Sequence, residues 1–120
     1  MLDHIGVGVS DVTKSKAFFA AALAPLGYKV IMDFGDQAAG MGKERPDFWI
    51  GKTATPGTSH IAFAADSRAL VKAFYDAALA AGGKDNGAPG LRPQYHPDYY
   101  GAFVLDRDGN NIEAVCRNKQ

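Results

Sequence analysis

The sequence predicts an α+β fold made of two similar modules, each with one strand, one helix and three further strands. His4–Gly27 recurs without a gap at His60–Gly83, and ten of the 24 aligned positions are identical. Each copy opens with an alternating strand pattern and continues with apolar residues at helical spacing. We therefore interpret residues 1–53 and 58–120 as two modules of one domain, joined by the linker 53–58.

The first module shows its elements in order. Residues 3–10 alternate between apolar residues and His4 or glycine, which predicts a strand with one apolar face. The next apolar residues recur at helical spacing, with Asp11 available as a cap and Gly27 as a stop. Three short patterns then predict three strands, at 28–33, 37–41 and 47–52.

The second module repeats this order. Residues 58–65 predict a strand, and Asp66 or Ser67 can cap the helix that Gly82-Gly83 ends. Residues 88–98 contain three prolines, which predicts an irregular loop. The remaining patterns predict strands at 84–87, 99–106 and 111–117, with a hairpin turn at 106–109.

Composition excludes several classes of protein. The chain has 120 residues, 47% of them apolar, and its 13 basic residues balance 13 acidic ones, so nothing favours nucleic acid or a membrane surface as a partner. A lone Cys116 cannot form an intramolecular disulfide. No apolar run approaches the roughly 20 residues of a membrane helix, and residues 1–10 lack a signal-peptide pattern. We expect a soluble cytoplasmic protein.

Strand parity brings three metal-binding residue types to one kind of surface. His4, His60 and Glu113 all fall on the sheet face opposite the apolar one, where the two modules would line a shared cleft. Two imidazoles and one carboxylate can form a facial triad that leaves coordination positions open for substrate or water. A buried carboxylate is costly without a cation, so a metal or a basic ligand is expected opposite Glu113.

The sequence resembles the vicinal-oxygen-chelate superfamily, also called the glyoxalase/bleomycin-resistance/dioxygenase superfamily. Asp3-His4-Ile5 and Ser59-His60-Ile61-Ala62-Phe63 carry the resemblance, together with the stretch Tyr100–Glu113. Within that stretch Asp106-Arg107-Asp108-Gly109-Asn110 is similar to the family's Asp-Pro-Asp-Gly-Asn, with arginine in place of proline. The resemblance covers essentially the whole chain.

This resemblance implies two βαβββ modules that form an eight-stranded, partly open, barrel-like cleft. It also implies a divalent metal (iron, manganese, nickel or zinc) held by His4, His60 and Glu113. The family's fourth ligand position falls at Trp49, which cannot bind a metal. A homodimer is implied as well, and the metal ligands could meet within one chain or across two.

Other residues have both a functional and a structural interpretation. Trp49 could stack on a flat substrate or be a core aromatic residue, and Tyr100 could hydrogen-bond the substrate or face solvent. Arg92 could bind an anionic substrate and His96 could act as an acid or base, or both could be solvated loop residues. Glu113 and Tyr100 are the candidate catalytic residues, and Trp49, Arg92 and His96 are candidates for substrate binding.

Two functions of different classes follow. The first is a metal-dependent lyase, thiol-transferase or dioxygenase that acts on a small organic substrate with adjacent oxygens. The alternative is a metal-free small-molecule or drug-binding protein of the bleomycin-resistance type. Retention of both histidines and the glutamate favours the enzyme.

Overall fold

The computed structural model describes residues 1–120 and confirms the predicted α+β fold with two βαβββ modules. The first module contains β1 (Ile5–Val9), α1 (Val12–Leu23), β2 (Lys29–Asp33), β3 (Ala38–Gly42) and β4 (Phe48–Lys52). The second contains β5 (His60–Ala64), α2 (Arg68–Ala80), β6 (Lys84–Leu91), β7 (Tyr100–Leu105) and β8 (Asn111–Cys116). Asp11 caps α1 and Ser67 caps α2, each by accepting a bond from a backbone N–H of the first turn.

Each module forms its own four-stranded sheet, in the order β1-β4-β3-β2 for the first and β5-β8-β7-β6 for the second. The first and last strands of each module are parallel neighbours, and the other pairs are antiparallel. No backbone ladder joins the two sheets. They remain open and do not close into a barrel.

The registers of the two sheets match, so the sequence repeat is also a structural repeat. Gly6 pairs with Trp49 in the first sheet, and Ala62 pairs with Glu113 in the second. Because Gly6 and Ala62 occupy equivalent places in the repeat, Trp49 and Glu113 are equivalent positions of the two modules. The sheet face that bears them is opposite the face that packs on the helices.

One apolar core spans both modules. The helices α1 and α2 pack against each other, and each covers one face of its own sheet. Aromatic rings continue the core from one module to the next: Phe48 contacts Phe19 at a centroid distance of 5.0 Å and Phe63 at 5.2 Å, both edge-to-face. All three rings are buried.

The strand β6 is longer than the sequence patterns predict, because it continues through Pro89 to Leu91. Proline lacks an N–H and is excluded from central strands, but β6 is the edge strand of its sheet. The ladder to β7 is also irregular between Asp85 and Gly90. A proline can therefore lie in this strand without breaking a regular ladder.

The turn between β7 and β8 is built around the buried carboxylate of Asp106. Its Oδ1 accepts hydrogen bonds from the backbone N–H groups of Asp108 (3.0 Å) and Asn110 (2.8 Å), and its Oδ2 accepts one from the Asn110 side chain (2.9 Å). Asn110 Oδ1 in turn accepts a bond from the Ser59 N–H, immediately before β5. The motif thus attaches the start of β5 to the hairpin.

We expect Asp106→Ala to lower the free energy of unfolding by about 3 kcal/mol, because it leaves buried N–H groups without acceptors. Urea denaturation measures the change. Arg107→Ala in the same turn is the control, since the exposed Arg107 should change stability by less than about 0.5 kcal/mol. Equal stability of the two variants would contradict the role of the Asp106 carboxylate.

No helix of this protein is long and apolar enough to cross a membrane.

Candidate functional site

The open face of the second sheet carries a histidine–carboxylate pair. His60 Nε2 lies 2.8 Å from Glu113 Oε1. The Glu113 side chain is only 1% exposed, whereas that of His60 is 55% exposed. The pair therefore presents an accessible imidazole above a buried carboxylate.

Strand pairing explains how these two side chains meet. The strands β5 and β8 run parallel, with His60 opposite Asn111 and Ala62 opposite Glu113. His60 and Glu113 consequently lie on the same face, one diagonal step apart. Gly101 on β7 leaves room beside the carboxylate, because an added Cβ would lie 3.2 Å from Tyr99 Cε1 and 3.4 Å from Glu113 Oε2.

A third residue, Tyr99, completes the surroundings of the carboxylate. Its hydroxyl donates a hydrogen bond to Glu113 Oε2, and its side chain is buried. Burial, followed by this hydrogen bond, raises the pKa of Tyr99 to about 12. Tyr99 is not among the residues that the sequence patterns predict for the site, which include its neighbour Tyr100. The only signal in the sequence was a tyrosine pair preceding the last hairpin.

Tyr100 lies on the other face of the sheet, among residues that pack on the core. The Arg68 guanidinium of α2 stacks over its ring at 5.3 Å. The structure therefore does not bring Tyr100 together with Glu113. Because successive strand residues point to opposite faces, a shift of one residue along the strand places a side chain on the other face of the sheet.

Phe103 and Arg92 extend the open face beyond the His60–Glu113 pair. Phe103 pairs with Glu113 across β7 and β8, and its ring centroid lies 6.2 Å from that of His60. Arg92 stacks on Phe103 at 5.4 Å and donates from Nη2 to the Ala88 carbonyl at 2.8 Å. The guanidinium forms no ion pair, so its charge remains available.

His96 lies in the loop between β6 and β7 and is exposed. Its Nδ1 accepts a hydrogen bond from the Asp98 N–H at 3.1 Å. Nε2 is therefore the nitrogen left for contact with other groups. The His96 side chain forms no hydrogen bond to His60 or Glu113.

His4 lies just before β1 and is separate from the pair. Its side chain is 60% exposed, and its Nδ1 lies 2.8 Å from Asp3 Oδ1. With Ile61 to Ala64 it lines a cavity of about 270 Å³ between the modules, a cavity that His60 does not line. No three His, Cys, Asp or Glu side chains of one chain are grouped closely enough to hold a metal ion.

Trp49 occupies the place in the first sheet that Glu113 occupies in the second. Its indole lies against Gly40, where an added Cβ would be 2.9 Å from the ring. The exposed Phe34 stacks on it with a centroid distance of 6.2 Å and an interplanar angle of 17°. The open face of the first module is thus aromatic, whereas that of the second is ionisable.

The His60–Glu113 pair offers two of the ligands that a divalent metal site needs. An imidazole nitrogen and a carboxylate oxygen are ordinary ligands of divalent ions, and here they face each other directly. A hydrogen bond joins them, and a metal ion bound by both groups would replace it. The residues of one chain therefore fit a divalent metal as two ligands and lack a third.

Two βαβββ modules with open four-stranded sheets, and a histidine and a carboxylate on the first and last strands of the second module, define a class of protein. The chain belongs to the Glyoxalase/Bleomycin resistance protein/Dioxygenase superfamily, whose family model matches residues 1–114. This confirms the resemblance found in the sequence. No curated protein matches the sequence significantly.

Solved structures share the fold over nearly the whole chain. A glyoxalase/bleomycin resistance protein from Albidiferax ferrireducens T118 is 31% identical, with a TM-score of 0.82, and the match covers 97% of this chain and 98% of that one. A family enzyme from Burkholderia phytofirmans PsJN is 18% identical (TM-score 0.76, 98% of each chain). Lactoylglutathione lyase from Agrobacterium tumefaciens is 15% identical (TM-score 0.71, 97% and 92%), and these two show likeness of fold alone.

Proposed function

We propose that this protein is a divalent-metal-dependent enzyme that acts on a small organic substrate with adjacent oxygens. The observation that carries the proposal is the His60 Nε2–Glu113 Oε1 contact of 2.8 Å on an open sheet face. A buried carboxylate needs a cation or strong donors nearby, and an exposed imidazole provides access from the cleft. When bound, a divalent metal would polarise an oxygen of the substrate.

We further propose that His4 of a second copy supplies the third ligand. His4 is exposed, and no group of three ligand residues forms within one chain. A symmetric homodimer would bring His4 of each chain to the His60–Glu113 pair of the other, making two equivalent sites. The site would then be complete only in the dimer.

In this proposal the remaining residues bind and orient the substrate. Arg92, which has no acidic partner, would attract an anionic group of the substrate to the second sheet. Trp49 and Phe34 would provide a flat apolar surface from the first sheet. His96 would offer Nε2 at the edge of the cleft. Chemical activity of the lyase, thiol-transferase or dioxygenase type is compatible with these groups.

A subunit-mixing experiment tests the proposal. His4→Ala and His60→Ala are each expected to lose metal, measured by elemental analysis after loading with Zn²⁺ or Mn²⁺ and desalting. Unfolding the two variants together in urea and refolding the mixture should restore about one quarter of the parent's metal content. The reason is that half of the dimers are mixed, and each mixed dimer has one intact site.

Mixing His60→Ala with Glu113→Ala is the matched control. Both lesions lie in the same half of the site, so the mixed dimer has no intact site and the metal content should stay low. Failure of the first mixture to recover would overturn the contribution of His4 across subunits. A parent protein that takes up no metal at all would overturn the enzyme proposal.

The metal-free binding protein remains the second candidate, and one observation favours it. Glu113 already has a partner on each oxygen, His60 on Oε1 and Tyr99 on Oε2, so the pair is satisfied without a metal. Absence of metal uptake together with retained fold would support this candidate.

A further inference from the structure

We infer that Tyr99 is a positioning residue that restricts Glu113 to binding a metal through one oxygen. The inference rests on the proposed metal function and assigns a role to a tyrosine outside the ligand set. The Tyr99 hydroxyl donates to Glu113 Oε2, while Oε1 faces His60 Nε2. A carboxylate can bind a cation through one oxygen or through both, and here one oxygen is already occupied.

Tyr99 is the only side chain other than His60 that hydrogen-bonds to the Glu113 carboxylate. Glu113 is 1% exposed, so water does not compete for Oε2. On β7, the residue that pairs with Glu113 is Phe103, which has no polar side-chain atom, and the residue that approaches Oε2 is Gly101, which contributes no side chain. Without the hydroxyl, Oε2 would be a buried acceptor with no donor and would be free to turn toward the metal.

Two neighbouring side chains contact the ring of Tyr99. The Arg117 guanidinium lies over it at 4.9 Å, and Tyr95 packs edge-to-face at 5.1 Å. Its backbone is bonded as well, with the N–H donating to the His96 carbonyl (3.1 Å) and the carbonyl accepting from the Arg92 N–H (2.7 Å). A hydroxyl held this firmly can define the orientation of its acceptor.

The same backbone bonds connect the metal site to the loop that carries the proposed substrate residues. Arg92 and His96 lie at the start and in the middle of the segment that Tyr99 closes. The position of the Glu113 carboxylate and the conformation of this loop are therefore coupled through one residue. Partners that orient a ligand in this way commonly change metal affinity 10- to 100-fold, as an order of magnitude.

The test compares Tyr99→Phe with the parent, using Co²⁺ as the probe. Titration against a competing chelator should show an affinity lowered by about tenfold or more. The visible absorption of bound Co²⁺ should also weaken, because a carboxylate that binds through both oxygens raises the coordination number. Tyr100→Phe is the matched control, since the neighbouring tyrosine lies on the opposite face, and it should change neither property.

Each outcome decides the inference. An equal Co²⁺ spectrum in the parent and in Tyr99→Phe, whatever the affinity, would overturn it while leaving the metal function intact. No Co²⁺ binding by the parent would overturn both. If Tyr99→Phe does not fold, as judged by circular dichroism, Arg117→Met loosens the ring and retains the hydroxyl. That variant should then shift affinity and spectrum in the same direction by a smaller factor.

Discussion

Glu113→Gln is expected to lower the affinity for Zn²⁺ or Mn²⁺ by at least about 100-fold, more than the loss of an outer-sphere partner costs. Glutamine keeps the shape of the side chain, but a neutral amide oxygen is a poorer metal ligand than an ionised carboxylate oxygen. The amide can still accept the Tyr99 hydrogen bond, so the fold should persist. Competitive titration with a fluorescent chelator measures the affinity.

The chain offers a matched control, because its only other glutamate, Glu44, is exposed. Glu44→Gln makes the same chemical change away from the open sheet face and should leave the affinity unaltered. Retention of parental affinity by Glu113→Gln would remove Glu113 from the ligand set. Equal losses in both variants would instead indicate a general effect of charge.

Phe48→Ala is expected to lower the free energy of unfolding by about 3–5 kcal/mol, the range for deleting a fully buried phenylalanine side chain. Phe48 is 1% exposed and contacts Phe19 of its own module and Phe63 of the other. The cavity would therefore open where the two modules share their core. Urea denaturation followed by circular dichroism and by tyrosine fluorescence measures the loss.

Phe34→Ala serves as the comparison, because Phe34 is 57% exposed. Its removal should change stability by less than about 1 kcal/mol while deleting the surface that stacks on Trp49. Similar losses in the two variants would contradict a shared core centred on Phe48. Two separated transitions in the parent would show that the modules unfold independently.

Local patterns were sufficient for most of the secondary structure. Strand alternation and helical spacing depend on neighbouring residues, and the caps at Asp11 and Ser67 satisfy N–H groups only three residues away. The turn at 106–109 is likewise local. The end of β6 could not be predicted from local patterns, because proline is tolerated there only through the edge position of the strand in the sheet.

Parity also identified the face on which His60 and Glu113 lie, and their contact follows from the pairing of β5 with β8. It could not distinguish Tyr99 from Tyr100. Tyr99 precedes β7, and the bonds that bring its hydroxyl to Glu113 are made by a loop and by Arg117. Such contacts depend on how distant segments pack, which no sequence pattern reports.

The sequence by itself determined the two-module architecture, the family and the residue types on the open faces, because repeats, periodicity and motifs are properties of order along the chain. Only the tertiary structure decided which of those residues meet. It brings His60, Glu113 and Tyr99 together and leaves His4 beside a separate cavity. The physical reason is that equivalent strands of the two modules lie in separate sheets, so equivalence in the repeat does not produce proximity in space.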